Sequence, residues 1–384
     1  MSKKVLLCAT VDYHFKAFHV PYMKWFKEQG WEVHVAANGN MDLPYVDAKF
    51  NVPIQRSPFK RINMKAYTEL KAIIDENKYD IIHCHTPMGG VLARIAARDA
   101  RKNGTKVIYT AHGFHFCQGA PIVPWLVYYP LEKFLSYFTD CLITINEEDY
   151  QLAVNRRFRA RRIERVHGVG VNTEHFKPAD ESHKLELKLT TGYQADDVLL
   201  FYAAEFNQNK NQQLLLHALA SVKADVPNVK LLLAGEGPMK GHCQVLAKEL
   251  GVEDQVDFLG YRNDIDRLLP MCDIAVASSL REGLPVNIME AMACGLPIIA
   301  SENRGHRELV QNNQNGWLIA PNDQVDMAEK IKLLAHNKEL RVKQGMWGRE
   351  MVERRYTTQQ VLNEKSTIYS LYMGEKVEGM WAIQ

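Results

Sequence analysis

Short apolar runs separated by amphipathic stretches recur along this chain in two successive series. Val5-Leu6-Leu7-Cys8-Ala9 reads as a buried strand, residues 18–29 as an amphipathic helix stopped by Gly30, and residues 31–36 as a second strand. Further strands are expected at 81–84, 106–110 and 141–145, with helices between them. A second series starts at Val198-Leu199-Leu200-Phe201-Tyr202 and continues through 231–234, 273–278 and 297–300. Such alternation predicts an α/β protein with doubly wound parallel sheets, whose ligands gather beyond the carboxyl ends of the strands. With 384 residues the chain is too long for one core and long enough for two.

The expected division is a first domain over 1–170, a linker over 171–196 rich in charge and poor in periodicity, and a second domain over 197–355. A hydrophobic share of 46% with 24% charged residues fits a globular protein. No apolar run approaches the ~18 residues of a membrane span, and residues 1–10 have too short an apolar core for a signal peptide, so a cytoplasmic protein is expected. Seven cysteines occur singly without a C-x-x-C pair, which indicates neither a disulfide framework nor a zinc site.

The net charge of +2 conceals an asymmetry. Residues 1–170 hold 24 Lys and Arg against 16 Asp and Glu, a balance of +8, which leaves −6 for the remainder. Arg156, Arg157, Arg159, Arg161, Arg162 and Arg165 cluster around Phe158 and Ile163. Such a patch is either a solvated charged face or a seat for anionic lipid, where each charge contributes roughly 1 kcal/mol. Nucleic acid is not expected, because no recognised binding module accompanies the patch. Residues 120–138, with Trp125, Tyr128, Tyr129 and Phe134, are core by default, and lipid-facing where they are exposed.

The chemistry concentrates in Arg281-Glu282-Gly283-Leu284-Pro285-Val286-Asn287-Ile288-Met289-Glu290, between a strand and Gly295. Pro285 suits the first helical position and Gly295 a helix stop. The turn aims the backbone N–H groups around 284–287, and the positive end of the helix, at a phosphate above the sheet. A carboxylate accepts two hydrogen bonds, so Glu290 suits the vicinal hydroxyls of a ribose and Glu282 those of a sugar beyond the diphosphate. The plain alternative is a pair of solvated acids beside a helix end.

Elsewhere the signals are weaker. The turn after the first strand has no G-x-G-x-x-G, which argues against a nicotinamide enzyme. It offers His14 and Lys16 as acceptor contacts or as plain surface-loop residues. His83 and His85 share one side of a strand, but no third metal ligand is near in sequence. Asp264-Ile265-Asp266 forms a D-x-D at a helix start, where capping by Asn263 or Asp264 explains it better than a metal.

The run Glu-Gly-Leu-Pro-Val-Asn-Ile-Met-Glu followed by Ala-Met-Ala-Cys-Gly-Leu-Pro-Ile-Ile-Ala resembles the signature of the retaining glycosyltransferases of family 4. The resemblance implies the GT-B fold, two Rossmann-like doubly wound parallel-sheet domains facing across a cleft. Residues 356–384 would form a C-terminal helix crossing back to the first domain, with the tail near Trp381 packing there. It implies His112, Glu282 and Lys210 at the reacting centre, and Glu290, Gly283, Leu284, Pro285, Val286, Gly235, Gly237, Arg262 and Glu205 around the donor. His14, Lys16 and His85 fall on the acceptor side. Glu205 stands where the family has an arginine of a basic clamp, so Arg281, Arg262 or a backbone N–H would take its place. No metal and no cofactor are expected. The partners implied are a UDP-sugar and a lipid-diphosphate-linked saccharide of the exopolysaccharide and capsule branch. A nucleotide-sugar epimerase of the same fold and a non-catalytic nucleotide-sugar-binding protein are the alternatives.

Overall fold

Residues 2–373 are described in a computed structural model, in which the chain forms two units. The first runs to Val169 and resumes at Val361, and the second spans Gly170–Gln360. The first carries β1 (Lys4–Val11), β2 (Glu32–Asn38), β3 (Ala48–Asn51), β4 (Ile81–His85), β5 (Lys106–Ala111), β6 (Cys141–Thr144) and β7 (Arg162–Arg165). They pair in parallel in the order β3-β2-β1-β4-β5-β6-β7. The second carries β8 (Val198–Ala203), β9 (Val229–Ala234), β10 (Val256–Gly260), β11 (Ile274–Ala277), β12 (Ile298–Ser301) and β13 (Gly316–Ile319), also parallel, ordered β10-β9-β8-β11-β12-β13. Strand order therefore reverses between β1 and β4, and between β8 and β11. In an open parallel sheet the loops splay apart at such a point and leave room for a ligand.

The central strands are the apolar runs read from the sequence. The edge strands β3, β7, β10 and β13 have no counterpart among those runs, and in the first three partial exposure gives mixed side chains instead of a continuous apolar run. Arg162 and Arg165 of the basic cluster thus belong to a strand. The stretch 177–196 is no bare linker: helix Glu181–Thr190, capped by Asp180, packs into the second unit. Its buried Lys188 donates to Asp273 Oδ2 at 2.8 Å and to the Asp197 carbonyl at 2.7 Å.

Helix Thr358–Met373 carries the chain back into the first unit, where the Tyr369 hydroxyl meets His83 Nδ1 at 2.7 Å. Trp381 lies outside the described residues. At the root of this return the second unit is zipped shut. Val171 N–H donates to the Tyr356 carbonyl at 2.8 Å, and Thr358 N–H to the Val171 carbonyl at 3.0 Å.

Beneath the first sheet Arg94, 1% exposed, donates to Glu132 Oε2 at 2.9 Å and to the Gly90 carbonyl at 2.9 Å, and lies 3.9 Å over the Tyr109 ring. Removing one partner of a buried pair strands the other charge. Glu132→Ala is therefore expected to destabilise the first unit by about 3–5 kcal/mol. Denaturant unfolding followed by a probe in that unit checks this, and a change below about 1 kcal/mol would contradict the assigned burial.

Glu132 belongs to helix Ile122–Leu135, whose other side is unusual. Ile122 (69% exposed), Leu126 (68%) and Phe134 (62%) face outward, while Trp125, Tyr128 and Tyr129 pack inward. The basic loop lies beside the end of this helix: Phe158 is 6.1 Å from the Tyr129 ring, and Arg159 N–H donates to Ser136 Oγ at 2.7 Å. Arg156, Arg157 and Arg159 are exposed. No helix among the described residues is long and apolar enough to cross a membrane.

Candidate functional site

In the second unit, the loops leaving β8 and β11 meet at the reversal of strand order. Leu280 N–H donates to the Asn209 carbonyl at 2.8 Å, Asn209 Nδ2 to the Arg281 carbonyl at 2.9 Å, and Ser278 Oγ to the Lys210 carbonyl at 2.7 Å. These bonds fix both backbones and bring Lys210 Nζ to 2.5 Å from Glu282 Oε1. Both side chains are largely shielded, so the pair is stronger than a surface one. The resemblance implies both residues at the reacting centre, and the structure places their side chains in direct contact. Arg304 Nε holds the Glu282 carbonyl at 2.9 Å, and a Cβ at Gly305 would come within 2.8 Å of the Glu282 Cβ. Asn209, Arg304 and Gly305 escaped the sequence reading, since hydrogen bonds between loops leave no periodic trace.

Helix Val286–Ala293 follows, with Pro285 one position earlier than expected, at the N-cap. The N-cap side chain caps nothing, and while Asn287 Oδ1 accepts from the Ile288 N–H at 3.0 Å, the N–H groups of Val286 and Asn287 remain available to an anion. Leu284 and Pro285 are buried and Gly283 and Val286 half-buried, so this segment offers backbone more than side chains. Asn287 Nδ2 ties the helix start to the Ala203 carbonyl at 2.9 Å. Glu290, one turn on, is partly buried, and its carboxyl is pushed up to about 7, by burial first and by nearby Asp266 second.

A cavity of about 330 Å³ opens over the ends of β8 and β9, lined by Ala203, Glu205, Gly235, Tyr261, Arg262 and Ile265 among others. The glycines there are required by packing. Gly235 (φ +147°) and Gly237 (φ +152°) would each drive a Cβ into a carbonyl of the neighbouring loop, Ala204 at 2.1 Å and Phe206 at 2.4 Å. Glu205 is exposed and accepts from Asn207 at 3.1 Å. Arg262 is clasped by Asp264 through two bonds of 2.8 and 2.5 Å. Asp264 is thus an ion-pair partner at an N-cap position, and its side chain caps nothing, contrary to the expectation for the D-x-D.

In the first unit, His112 follows β5 and His85 ends β4, with His112 Nε2 3.4 Å from His85 Nδ1. His14, from the short helix Tyr13–Phe18, approaches within 4.9 Å of the His112 ring. Lys16 points to solvent. His85 is only 1% exposed, so direct acceptor contact by this side chain is not what the structure offers. His83 does not join the group: its ring nitrogens meet Tyr369 and Thr110 hydroxyls. Burial, first of all, holds His112 and His85 well below the usual imidazole range and His14 down at about 4, so all three are neutral at pH 7.

Comparison with known proteins gives two family matches. "Glycosyl transferases group 1" matches residues 186–351, and "Glycosyl transferase 4-like" residues 4–146. EpsD of Bacillus subtilis (strain 168), named as a glycosyltransferase without a stated donor or acceptor, is 53% identical over 97% of this chain and 98% of its own. The UDP-Gal:alpha-D-GlcNAc-diphosphoundecaprenol alpha-1,3-galactosyltransferase of Escherichia coli is 31% identical over 68% of this chain and 67% of its own. Among solved structures, Anabaena Alr3699/HepE in complex with UDP and glucose superposes with a TM-score of 0.79 at 20% identity, covering 96% of this chain and 100% of that one. Sucrose-phosphate synthase from Thermosynechococcus elongatus superposes at 0.78 and 19% identity, covering 97% and 100%. These likenesses establish the GT-B fold.

Proposed function

The chain belongs to the group 1 glycosyl transferases, and we propose that it is one that moves a hexose from a UDP-sugar to a lipid-diphosphate-linked saccharide, with retention at the anomeric carbon. The observation that carries this reading is the contact between Lys210 and Glu282 beside an uncapped helix start. One cation and a fan of N–H groups would meet the charge growing on the leaving diphosphate. The carboxylate beside them would hold hydroxyls of the sugar. Glu290 would take the ribose, and the cavity beside Gly235 and Arg262 the base. His112, in the first unit, is assigned to the donor sugar, and His14 and Lys16 to the acceptor. None of these roles calls on a metal. A named galactosyltransferase relative works on a diphosphoundecaprenol acceptor, and a fold neighbour binds UDP with glucose, which supports the choice of donor and acceptor.

The apolar side of helix Ile122–Leu135 beside the arginine loop suits a lipid surface bearing such an acceptor, in exopolysaccharide or capsule synthesis.

The test uses the full chain, a panel of UDP- and GDP-sugars, and a polyprenyl-diphosphate-linked saccharide in anionic vesicles. We expect acceptor-dependent UDP release, an α-linked product by NMR from an α-linked donor, and vesicle binding that weakens with salt. Conversion of the donor without acceptor would point to an epimerase, and release confined to GDP would overturn the donor assignment.

A further inference from the structure

We propose that His14, His19, His85 and His112 form a binding site for one zinc-class divalent cation in the first unit. One ring nitrogen from each lies within 4.8 Å of every other. They converge from three segments: His14 lies in helix Tyr13–Phe18 after β1 and His19 directly follows that helix, His85 ends β4, and His112 follows β5. His14 Nε2 is 3.0 Å from His19 Nε2, and His112 Nε2 is 3.4 Å from His85 Nδ1. A tetrahedron with metal–nitrogen bonds of about 2.0–2.1 Å has edges of about 3.3 Å. Two opposite edges therefore already have nearly the required length, and small rotations of the half-buried His14 and His112 would close the others.

The chemistry of the donor set narrows the ion. Four imidazoles without a carboxylate suit zinc, cobalt, nickel or copper and not magnesium or calcium. Ligation also requires neutral rings, which burial supplies at all four positions. Hydrogen bonding ties the His85 ring through Nδ1 alone, the nitrogen that faces His112, since its Nε2 is buried without a partner. The fifth imidazole nearby, His83, has both nitrogens occupied by hydroxyls and stays out. The opposing charge is Lys365, whose buried Nζ lies 4.3 Å over the Tyr22 ring with no hydrogen-bond partner. Burial pushes that amine down to about 7, so it can shed its proton when a dication arrives.

Because His112 is also assigned to the donor sugar, and resting on that reading, an occupied site would withdraw it and make zinc an inhibitor of transfer.

The experiment strips the full chain with a chelator, then titrates it with Co²⁺ and with Zn²⁺. One equivalent of Co²⁺ should bind with the intense visible bands of tetrahedral cobalt, and one equivalent of Zn²⁺ should erase them. His14→Ala and His112→Ala, at half-buried positions, should each weaken cobalt binding at least tenfold, and His217→Gln in the second unit should not. Substoichiometric binding, a pale octahedral spectrum, or equal loss in the His217 variant would overturn the site. Should a variant fail to fold by circular dichroism, the melting temperature of the wild-type protein decides: a rise with one equivalent of zinc supports the site and no change sinks it. Zinc inhibition of transfer, reversed by chelator, is a separate arm. Its failure beside tetrahedral cobalt binding would count against the role of His112 and leave the site standing.

Discussion

Lys210→Ala is expected to lower the turnover of sugar transfer about 10²- to 10³-fold while weakening UDP binding much less. The lysine is a compact charge whose partner in the resting protein is Glu282, 2.5 Å away. As the bond to the diphosphate breaks, charge grows on the leaving oxygens, and an ammonium already fixed in place stabilises it without reorganising solvent. Ground-state nucleotide, by contrast, still has the helix N-terminus. Glu282→Ala should cost a similar factor through loss of the sugar contact. Because the two side chains touch, the double variant should fall well short of the product of the single effects. Single-turnover rates and UDP titrations on the four proteins decide it. Turnover of Lys210→Ala within threefold of wild type would remove the lysine from the reacting centre.

The second large effect is a pH dependence set by Glu290. Its carboxyl is raised from 4.5 to about 7 in the folded protein. The folded state therefore holds the proton more tightly than the unfolded one, and its contribution to stability falls as pH rises from the unfolded value through 7. The loss is about 3 kcal/mol at most. A ribose donating two hydroxyl hydrogens needs the carboxylate, so UDP binding should expel the proton. Affinity should then rise by up to about tenfold per pH unit below 7 and level off above it. Calorimetry in buffers of different ionisation enthalpy should show close to one proton released per UDP at pH 6. Glu290→Gln should flatten the profile and release none. An unchanged profile in that variant would place the ribose elsewhere.

How much of this was legible in the sequence differs by layer. The central strands were, because a strand covered on both faces must be apolar along its whole length, as Val5–Ala9 and Val198–Tyr202 are. β3 and β7 were not, since an edge strand shares its side chains with water. Helix Glu181–Thr190 was hidden by its charges, two of which turn inward to Asp273. Glu282 and Glu290 stood out through their spacing along one turn and helix. The contact between Lys210 and Glu282 did not, because only the reversal of strand order at β8 and β11 brings two loops so far apart in sequence to one place. The histidines mislead in an instructive way. The neighbours in sequence, His83 and His85, part company, while His14, His19 and His112 join His85 from other segments.

The hydrogen bonds between Val171 and residues 356 and 358 join the two ends of the second unit side by side. The second unit enters and leaves the chain at a single laced point, like an insertion spliced into a host whose own last helix completes it. A gene segment for residues 170–360 is thus a self-closed cassette, and nucleotide-sugar preference could be exchanged between relatives by transplanting it whole.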